Sequence, residues 1–386
     1  MSSKYRKIEK SINFIFGKLI EIVIYLISII LGKYFKKKNK NTVLIIKILG
    51  GGSLFSVLPI LLQIKKKRKE EKILLICSSN ILPFAEAMKI FDEINVIRFN
   101  FYFLIDLVKA LKNFIKSEKV ISLEMHSKLV TLFQVMFPGT KVIVNIPRGY
   151  FKNYLKSKKN YFVSYNHSTS YYEFYLKVFR YFYEIEKKIS YKTVKNFLLK
   201  KKGEIKNIKS LSQIQEKPYI VLAPFCSNLS VEREISPKDY LNYISKNIMK
   251  TKNIILIGGS DVLYNSQKAY SDLFKNNKYN IINLVGKLSL LNNLYISSNA
   301  NITLTIDSGF NHAARYVAKK IVSFWGPTHP NLHISKIRKN EIIHYKKVYC
   351  SPCVHFTNKM ACGGFPNNFC QKNIIKDKYI FKIKTL

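Results

Sequence analysis

Two stretches of this chain repeat the same alternation of short apolar strands and helical segments. In the first stretch, strands are predicted over Thr42–Ile48, Lys72–Cys77, Val96–Phe99, Lys119–Leu123 and Lys141–Ile146. Short apolar runs separated by segments of helical periodicity are typical of parallel strands that are buried on both faces. This half is therefore predicted to be a doubly wound α/β domain.

The alternation restarts after a stretch near residues 160–205 that is rich in Tyr, Phe and Lys. The strands predicted there cover Tyr219–Ala223, Asn253–Ile257, Ile281–Leu284, Asn301–Ile306 and Lys320–Phe324. Two such halves in 386 residues predict two Rossmann-like domains. Ligands of these sheets bind beyond the carboxyl ends of the strands, so the loops at those ends are the places to search for function.

The first forty residues carry an apolar segment between two basic clusters. Its uninterrupted run, Ile22–Leu31, is only ten residues long, whereas a membrane-spanning helix needs about 20. No small-residue cleavage site follows the run, which disfavours a signal peptide. We predict an amphipathic helix that lies on an anionic membrane surface. A helix packed on the protein itself and a true spanning helix are the alternatives.

The balance of charge is strongly basic, with 65 Lys and Arg against 23 Asp and Glu and a net charge of +42. Such an excess predicts a polyanionic neighbour, which could be nucleic acid, anionic lipid or a phosphorylated substrate. Biased composition, rich in Lys, Ile and Asn, is the alternative source of the charge. No nucleic-acid-binding motif accompanies it, so no specific nucleic acid is predicted as a partner.

Two loops at predicted strand ends have the chemistry to bind anions. Gly50-Gly51-Gly52-Ser53 joins a strand to a helix predicted over Leu54–Ile64, and glycines there let backbone amides approach a ligand. Asp307-Ser308-Gly309 also opens a helix, where Gly309 would permit an unusual turn and the first amides could hold phosphate oxygens. His312 follows on the first turn. The alternative for Asp307 is a simple helix N-cap.

These loops belong to a longer ordered series of motifs. It comprises Lys47-x-x-Gly50-Gly51-Gly52-Ser53, Ile257-Gly258-Gly259, Leu284-Val285-Gly286-Lys287-Leu288-Ser289, Asp307-Ser308-Gly309-x-x-His312 and Phe324-Trp325-Gly326-Pro327-Thr328. From about residue 42 to residue 372 the chain resembles glycosyltransferase family 9, the heptosyltransferase family of lipopolysaccharide synthesis. The resemblance implies a glycosyltransferase B fold, with two Rossmann-like domains facing across a cleft. It also implies inverting, metal-independent transfer from a nucleotide-diphosphate sugar held by the C-terminal domain.

The resemblance carries donor-binding roles onto seven residues of the C-terminal half: Arg233, Gly286, Lys287, Asp307, Ser308, Gly309 and His312. A cation such as Arg233 would neutralise the leaving nucleotide diphosphate as the glycosidic bond breaks.

The N-terminal half departs from the family pattern. Ser53 stands where members with heptose transfer carry the Asp thought to be the base, and a lone serine cannot take a proton at neutral pH. Glu124, at the end of a predicted strand, is the predicted replacement, and a helix N-cap is its alternative role. Gly51, Gly52 and His167 are predicted to contact the acceptor, with a plain surface-loop histidine as the alternative for His167.

Four cysteines lie close together near the C-terminus: Cys350, Cys353, Cys362 and Cys370. A set that begins with a C-x2-C pair can close a tetrahedral site, so a structural zinc or other metal is predicted there. Free buried thiols and disulfides are the alternatives. No cofactor is expected to be required for catalysis.

These observations predict four segments: a basic membrane-peripheral helix over 1–40, an acceptor domain over 41–205, a nucleotide-sugar domain over 206–345, and a cysteine-rich segment over 346–386 that returns to the N-terminal domain. The predicted function is transfer of a sugar, heptose above others, from ADP-heptose to a phosphorylated glycolipid acceptor such as the lipopolysaccharide core. The predicted location is the cytoplasm, at the inner face of the membrane. A catalytically impaired nucleotide-sugar-binding protein and a transferase for a different sugar are the alternatives.

Overall fold

The computed structural model describes residues 39–124, 141–144, 161–162, 169–187, 190–200, 217–226, 233–248, 251–353, 369–372 and 374. The chain forms two compact units. Unit 1 comprises Met1–Thr169 and Glu173–Lys187, and unit 2 comprises Ser170–Tyr172 and Lys188–Leu386.

Unit 1 contains a six-stranded sheet in the order β3-β2-β1-β4-β5-β6, with every neighbouring pair parallel. The strands are β1 (Asn39–Lys47), β2 (Lys72–Ser78), β3 (Glu93–Ile97), β4 (Ser117–Ser122), β5 (Lys141–Val144) and β6 (Tyr161–Phe162). The helices are α1 (Gly51–Phe55), α2 (Leu58–Lys67), α3 (Leu82–Met88), α4 (Phe103–Lys116) and α5 (Tyr171–Arg180). The single helix predicted over Leu54–Ile64 is in fact two, and Pro59 lies in the first turn of the second, where its missing N–H costs no hydrogen bond.

Unit 2 contains a second six-stranded parallel sheet, in the order β12-β11-β10-β7-β8-β9. The strands are β7 (Tyr219–Ala223), β8 (Asn253–Leu256), β9 (Asn280–Asn283), β10 (Ile302–Ile306), β11 (Ile321–Trp325) and β12 (Glu341–Tyr345). The helices are α6 (Tyr191–Leu199), α7 (Pro237–Asn247), α8 (Tyr264–Asn276), α9 (Leu290–Asn299), α10 (Gly309–Val317) and α11 (Phe369–Lys372), with a 3-10 turn over Pro330–Leu332.

The two sheets have the same topology. Counted within each unit, the strand order is 3-2-1-4-5-6, in which the chain reverses direction across the sheet between the first and fourth strands. The reversal lies between β1 and β4 in unit 1 and between β7 and β10 in unit 2. The predicted α/β class, two Rossmann-like units of the glycosyltransferase B type, is confirmed, and the topology marks one preferred ligand position in each unit.

Strand β12 is absent from the predicted set. It begins at Glu341, a charged residue that is nevertheless buried. The Arg315 guanidinium compensates that burial through a two-pronged contact, with Nε on Oε1 and Nη2 on Oε2. A charged residue at the start of an apolar run hides a buried strand, because its partner, 26 positions away, is invisible in the local pattern.

The described parts of the cysteine-rich segment pack on unit 2. Ile374 lies in the same apolar cluster as β7 and β10, and Gln371 donates to the Arg233 carbonyl oxygen at 2.8 Å. Residues 375–386 lie outside the described residues, and the four predicted segment boundaries stay predictions. In the part of the chain that the structure describes, no helix combines the length and the apolar character needed to cross a membrane. Residues 1–38, where the amphipathic helix is predicted, lie outside that part.

Candidate functional site

A buried ion pair lies at the sheet reversal of unit 1, beside the carboxyl ends of β1 and β4. Lys47, the last residue of β1, places its Nζ 3.2 Å from Oε1 of Glu124, which follows the end of β4. The same oxygen accepts the N–H groups of Ile48 at 2.6 Å and Leu49 at 3.0 Å. Three donors therefore fix the carboxylate at the carboxyl ends of two neighbouring strands. The helix that Glu124 would cap in its alternative role falls on residues 125–140, which lie outside the described residues.

Neighbouring groups stabilise the positively charged form of Lys47. Burial alone would lower the pKa of this ammonium group, but the Glu124 carboxylate and the Tyr175 hydroxyl outweigh burial and raise the pKa. Both partners of the pair are almost fully buried. Their mutual attraction is correspondingly strong, and removing either would leave an uncompensated charge in the interior.

The glycine loop after β1 owes its sequence to backbone geometry and packing. Gly50 has φ of +74°, a left-handed conformation that residues with a Cβ rarely adopt. A Cβ on Gly51 would lie 2.2 Å from Cδ2 of Phe84, so close packing against α3 already requires that glycine. Ser53 donates its hydroxyl to the Gly50 carbonyl oxygen at 2.8 Å. Its hydroxyl therefore stabilises the loop.

Sequence reasoning missed Tyr175 as a member of this cluster. Its hydroxyl donates to the Leu123 carbonyl oxygen at 3.3 Å and also contacts Lys47 and Ser53. Burial raises the pKa of the phenol, although the Lys47 charge opposes that shift. Tyr175 lies in a segment crowded with tyrosines and phenylalanines, where nothing in the local pattern distinguishes it from its neighbours.

The sheet reversal of unit 2 carries a second ion pair. Asp307 directly follows β10, and its Oδ2 lies 3.4 Å from Nε of Arg233. Arg233 Nη1 also donates to the Asp307 carbonyl oxygen at 3.3 Å. Arg233 and Asp307, both predicted from sequence, are thus in direct contact although 74 positions separate them.

Two histidines complete the surroundings of Asp307. His312 Nε2 lies 3.4 Å from Asp307 Oδ1, and the His312 ring stacks on His333 at a centroid distance of 4.5 Å. Burial alone would raise the pKa of Asp307, but the charges of Arg233, His312 and His333 hold it well below its ordinary value. His333 is the second residue that sequence reasoning missed, because it lies in a loop without any recognisable motif.

The side chains of Asp307, His312 and His333 approach one another within 4.8 Å, as the ligands of a metal ion would. The geometry of the rings disagrees with that role. The two imidazole rings face each other with only 26° between their planes, so their in-plane lone pairs lie in nearly parallel planes, which is a poor arrangement for binding one ion. The Arg233 guanidinium already supplies a positive charge to the carboxylate. These residues therefore fit a cluster of charged and ring groups better than a metal centre.

Helix α10 begins at this cluster with a cap that differs from the expectation. Ser308, rather than Asp307, is the N-cap, and its hydroxyl accepts the Asn311 N–H at 3.3 Å. Gly309 is the first helical residue. The glycines with positive φ in the described residues are Gly50 and Gly286, so the unusual turn expected at Gly309 is wrong. Gly309 and Phe310 are only half-buried, which leaves the first amides of the helix accessible.

A sequence model of glycosyltransferase family 9 (heptosyltransferase) matches residues 151–363, more than half of the chain. The chain belongs to glycosyltransferase family 9. No curated protein matches it by sequence. The family prediction made from the motifs is confirmed.

Solved structures agree with membership of family 9. Escherichia coli heptosyltransferase WaaC with ADP is 14% identical, with a TM-score of 0.61 over 78% of this chain and 92% of that one. E. coli ADP-heptose lipopolysaccharide heptosyltransferase II is 12% identical, with a TM-score of 0.56 over 80% and 91%. The family 9 protein from Veillonella parvula is 11% identical, with a TM-score of 0.58 over 80% and 86%. At these identities the likeness shows the fold.

The other donor-binding residues predicted from the family 9 motifs, Gly286 and Lys287, follow β9, the edge strand of the sheet. Gly286, with φ of +72°, packs on the loop after β8 and donates its N–H to the Gly258 carbonyl oxygen at 3.1 Å. Lys287 is exposed and donates to the Asn283 carbonyl oxygen at 3.0 Å. The role of these two residues in binding the sugar donor stays a prediction.

The loop after β11 brings two of the four cysteines to one place. The Cys353 N–H donates to the Pro327 carbonyl oxygen at 2.9 Å, and a Cβ on Gly326 would lie 2.7 Å from Cys370 Sγ. Gly326 is therefore required by the close approach of Cys370. Cys350 is half-buried, whereas Cys362 and the acceptor candidate His167 lie outside the described residues.

Proposed function

We propose that this family 9 chain is an inverting transferase that moves heptose from ADP-heptose to a phosphorylated glycolipid acceptor, such as the lipopolysaccharide core. The observation that carries the proposal is the Arg233–Asp307 pair beside the accessible start of α10. Two relatives of the same fold support the choice of donor, since one was solved with ADP and the other is named for ADP-heptose.

Electrostatic attraction supports the proposed binding of the sugar donor. The first amides of α10 and the Arg233 guanidinium would together hold the diphosphate, because a helix N-terminus and a cation both favour anions. Negative charge grows on the diphosphate as the anomeric carbon–oxygen bond breaks. A guanidinium fixed by Asp307 would stabilise that charge without reorganising, and no metal ion would be needed for it.

The orientation of the Glu124 carboxylate supports its proposed role as the base that activates the acceptor. Its Oε1 accepts three hydrogen bonds, while none that the described residues make to this side chain ends on Oε2. In the proposed reaction Oε2 takes the proton of the acceptor hydroxyl, the hydroxyl oxygen attacks the anomeric carbon from the face opposite ADP, and ADP leaves. The configuration at the anomeric carbon is inverted.

Donor binding is tested by calorimetry with ADP-heptose and with UDP- and GDP-hexoses. We expect the ADP sugar to bind best and Arg233→Ala to weaken it about tenfold or more, since a charge-assisted contact contributes about 1.5–3 kcal/mol. Lys319→Ala, which removes an exposed cation of the same unit, is the matched control. Absence of binding by every sugar nucleotide at millimolar concentration would contradict the proposal.

The base is tested by turnover. Glu124→Gln should retain donor binding and lose at least about a hundredfold in kcat. Glu71→Gln is the matched control, because Glu71 forms a comparably buried pair with Lys119, at 2.5 Å, in the same unit. Equal losses in the two variants would show that the effect of Glu124 is structural.

A second candidate is a nucleotide-sugar-binding protein without turnover, favoured by the engagement of Ser53 with the Gly50 carbonyl oxygen. It predicts that the wild-type chain binds donor but releases no ADP with any phosphorylated glycan acceptor.

We further propose that residues 1–40 hold the enzyme at the inner, cytoplasmic face of an anionic membrane, as their basic and apolar pattern supports.

A further inference from the structure

Helix α4 carries apolar side chains on its exposed side as well as on its buried side. Its inner face, including Leu107, Leu111 and Phe114, is fully buried in the core of unit 1. Its outer face carries Leu104, Ile105 and Val108, all exposed. A surface helix ordinarily turns polar residues outward, so an outer apolar face calls for a partner.

The exposed apolar side chains continue into the turn before the helix. We define the α4 patch as the set of Phe99, Phe101, Tyr102, Leu104, Ile105 and Val108. These six are a majority of the eleven exposed large hydrophobic side chains among the described residues. Phe101 is 94% exposed and Phe99 is 68% exposed. Scattered exposed hydrophobics are ordinary, but a cluster of this kind marks an interaction surface.

The turn that presents the patch is built to be stable. Arg98 binds Asp106 through two side-chain hydrogen bonds of 2.8 Å, and its backbone N–H donates to the same carboxylate at 3.1 Å. The Arg98 guanidinium also lies 4.6 Å from the centre of the Tyr102 ring. The Asn100 side chain accepts the Tyr102 N–H at 3.0 Å. The exposed aromatic rings thus project from a braced turn.

The charges around the patch favour an anionic partner. Lys109 and Lys112 are exposed one turn beyond Ile105 and Val108, on the same stripe of α4. The carboxylate within the segment, Asp106, is buried and neutralised by Arg98. The exposed Glu93 binds Asn113 near the opposite end of the helix. Aromatic and aliphatic side chains followed by lysines are the pattern of a helix at a lipid headgroup boundary.

We infer that the α4 patch is a second contact with an anionic membrane, independent of residues 1–40. A second copy of the chain fits less well, because an isologous contact through this face would bring the lysines of both copies into one interface, and the patch has no exposed carboxylate to pair with them. An anionic bilayer offers an apolar region to the aromatic and aliphatic side chains of the patch and negative charge to the lysines. The aromatic turn enters the headgroup region, and Lys109 and Lys112 meet anionic lipid. Two modest anchors give stable attachment where one gives only reversible binding.

A Phe101→Trp variant tests the contact directly. The full chain has one tryptophan, Trp325, which is fully buried and supplies a constant background. We expect the emission of the new indole to shift to the blue when vesicles of 70% phosphatidylcholine and 30% phosphatidylglycerol are added, and brominated lipid to quench it. An emission that ignores the vesicles would overturn the inference. So would an emission already blue in buffer, which would mean cover by residues 1–40 or, where it depends on concentration, by a second copy.

Vesicle sedimentation separates this surface from the N-terminal segment. The triple variant Phe101→Ser, Leu104→Ser, Ile105→Ser should lower the partition coefficient at least tenfold on these vesicles. Leu263→Ser with Tyr264→Ser, which removes exposed apolar area from unit 2, should leave it unchanged. Lys109→Glu with Lys112→Glu should weaken binding to the anionic vesicles and spare pure phosphatidylcholine. Since the triple variant alters only exposed side chains, circular dichroism should match wild type. Wild-type partitioning by the triple variant would overturn the inference, whatever the donor-binding result.

Discussion

Asp307 is the residue on which the charged cluster of unit 2 depends. It is fully buried, and Arg233, His312 and His333 all place positive charge or ring nitrogens around it. Since these groups hold the pKa of Asp307 below its unfolded value, its contribution to stability is present at neutral pH. That contribution is lost only as the pH falls below about 4 towards the folded-state pKa.

Asp307→Asn is therefore expected to lower the free energy of unfolding of unit 2 by about 3 kcal/mol at pH 7, because Arg233 would lose its counter-charge in a largely buried position. Urea titration followed by the fluorescence of Trp325, which lies in unit 2, measures this loss. Asp272→Asn, at the exposed pair with Lys268, should remain near wild type. A wild-type urea midpoint for Asp307→Asn would contradict the prediction.

The contribution of Glu234 to the free energy of unfolding depends on pH in the opposite direction. Burial raises its pKa from 4.5 to about 7, although hydrogen bonds from Cys226 oppose the shift. The folded state then binds the proton more tightly than the unfolded state, so this residue's contribution is complete below pH 4.5 and is lost as the pH rises through about 7. Glu234→Gln should lose less stability than wild type between pH 5 and pH 8. Parallel stability profiles for the two proteins would refute this.

Sequence reasoning finds individual residues better than their relations. Asp307 and Arg233 are recognisable from loop motifs, yet their contact is decided by the sheet reversal between β7 and β10. Lys47 is visible only as the first letter of a glycine motif, whereas its charge compensates Glu124, 77 positions later. Tyr175 and His333 belong to no motif. Each reaches its cluster through packing at a distance, which local pattern cannot encode.

At the scale of elements, the caps of the helices separate stability from function. Ser308 caps α10 at the proposed donor site, and Ser190 caps α6 in the same unit with a comparable hydrogen bond of 3.3 Å to Thr193 N–H. Replacing either serine by alanine should cost about 1 kcal/mol in the free energy of unfolding. We expect only Ser308→Ala to weaken ADP binding in calorimetry. Equal effects of the two variants on binding would argue against a donor at α10.

The elements themselves are largely predictable where the pattern is purely apolar. Strand β7 begins and ends at the predicted residues, Tyr219 and Ala223, because five consecutive buried side chains signal it. Strand β12 escapes prediction because its buried Glu341 needs Arg315 to be tolerated. The expected helix over Leu54–Ile64 divides because a proline restarts it, a detail that periodicity blurs.

At the scale of the molecule, the cysteine segment gives a prediction about composition. Cys353 and Cys370 both pack on the loop after β11, and a structural metal bound by these two with Cys350 and Cys362 would lower the free energy of the folded chain. We expect elemental analysis of the purified full chain to find about one zinc or iron per chain and Cys353→Ser to abolish it. Cys77→Ser, at a buried thiol of unit 1, is the control. A wild-type chain free of both metals would leave the thiol or disulfide alternatives.

The two sheets also share an arrangement that neither half reveals alone. In each unit a basic residue pairs with an acidic residue that follows the fourth strand: Lys47, the last residue of β1, pairs with Glu124, and Arg233, in the connection from β7 to α7, pairs with Asp307. The sequence predicts both halves and three of these four residues as site members. It does not predict that the pairs occupy equivalent topological positions, because strand order is fixed only when the sheets assemble.

The hydrogen bond from Gln371 to the Arg233 carbonyl oxygen sets the order in which the protein can be completed during synthesis. The two residues are 138 positions apart, so translation at roughly 5–20 residues per second separates their appearance by roughly 7–28 s. During that interval the emerging chain holds Arg233 without this support. The finished arrangement around Arg233 is thus a late product of translation, whereas Lys47 and Glu124 can pair while most of unit 2 has still to be synthesised.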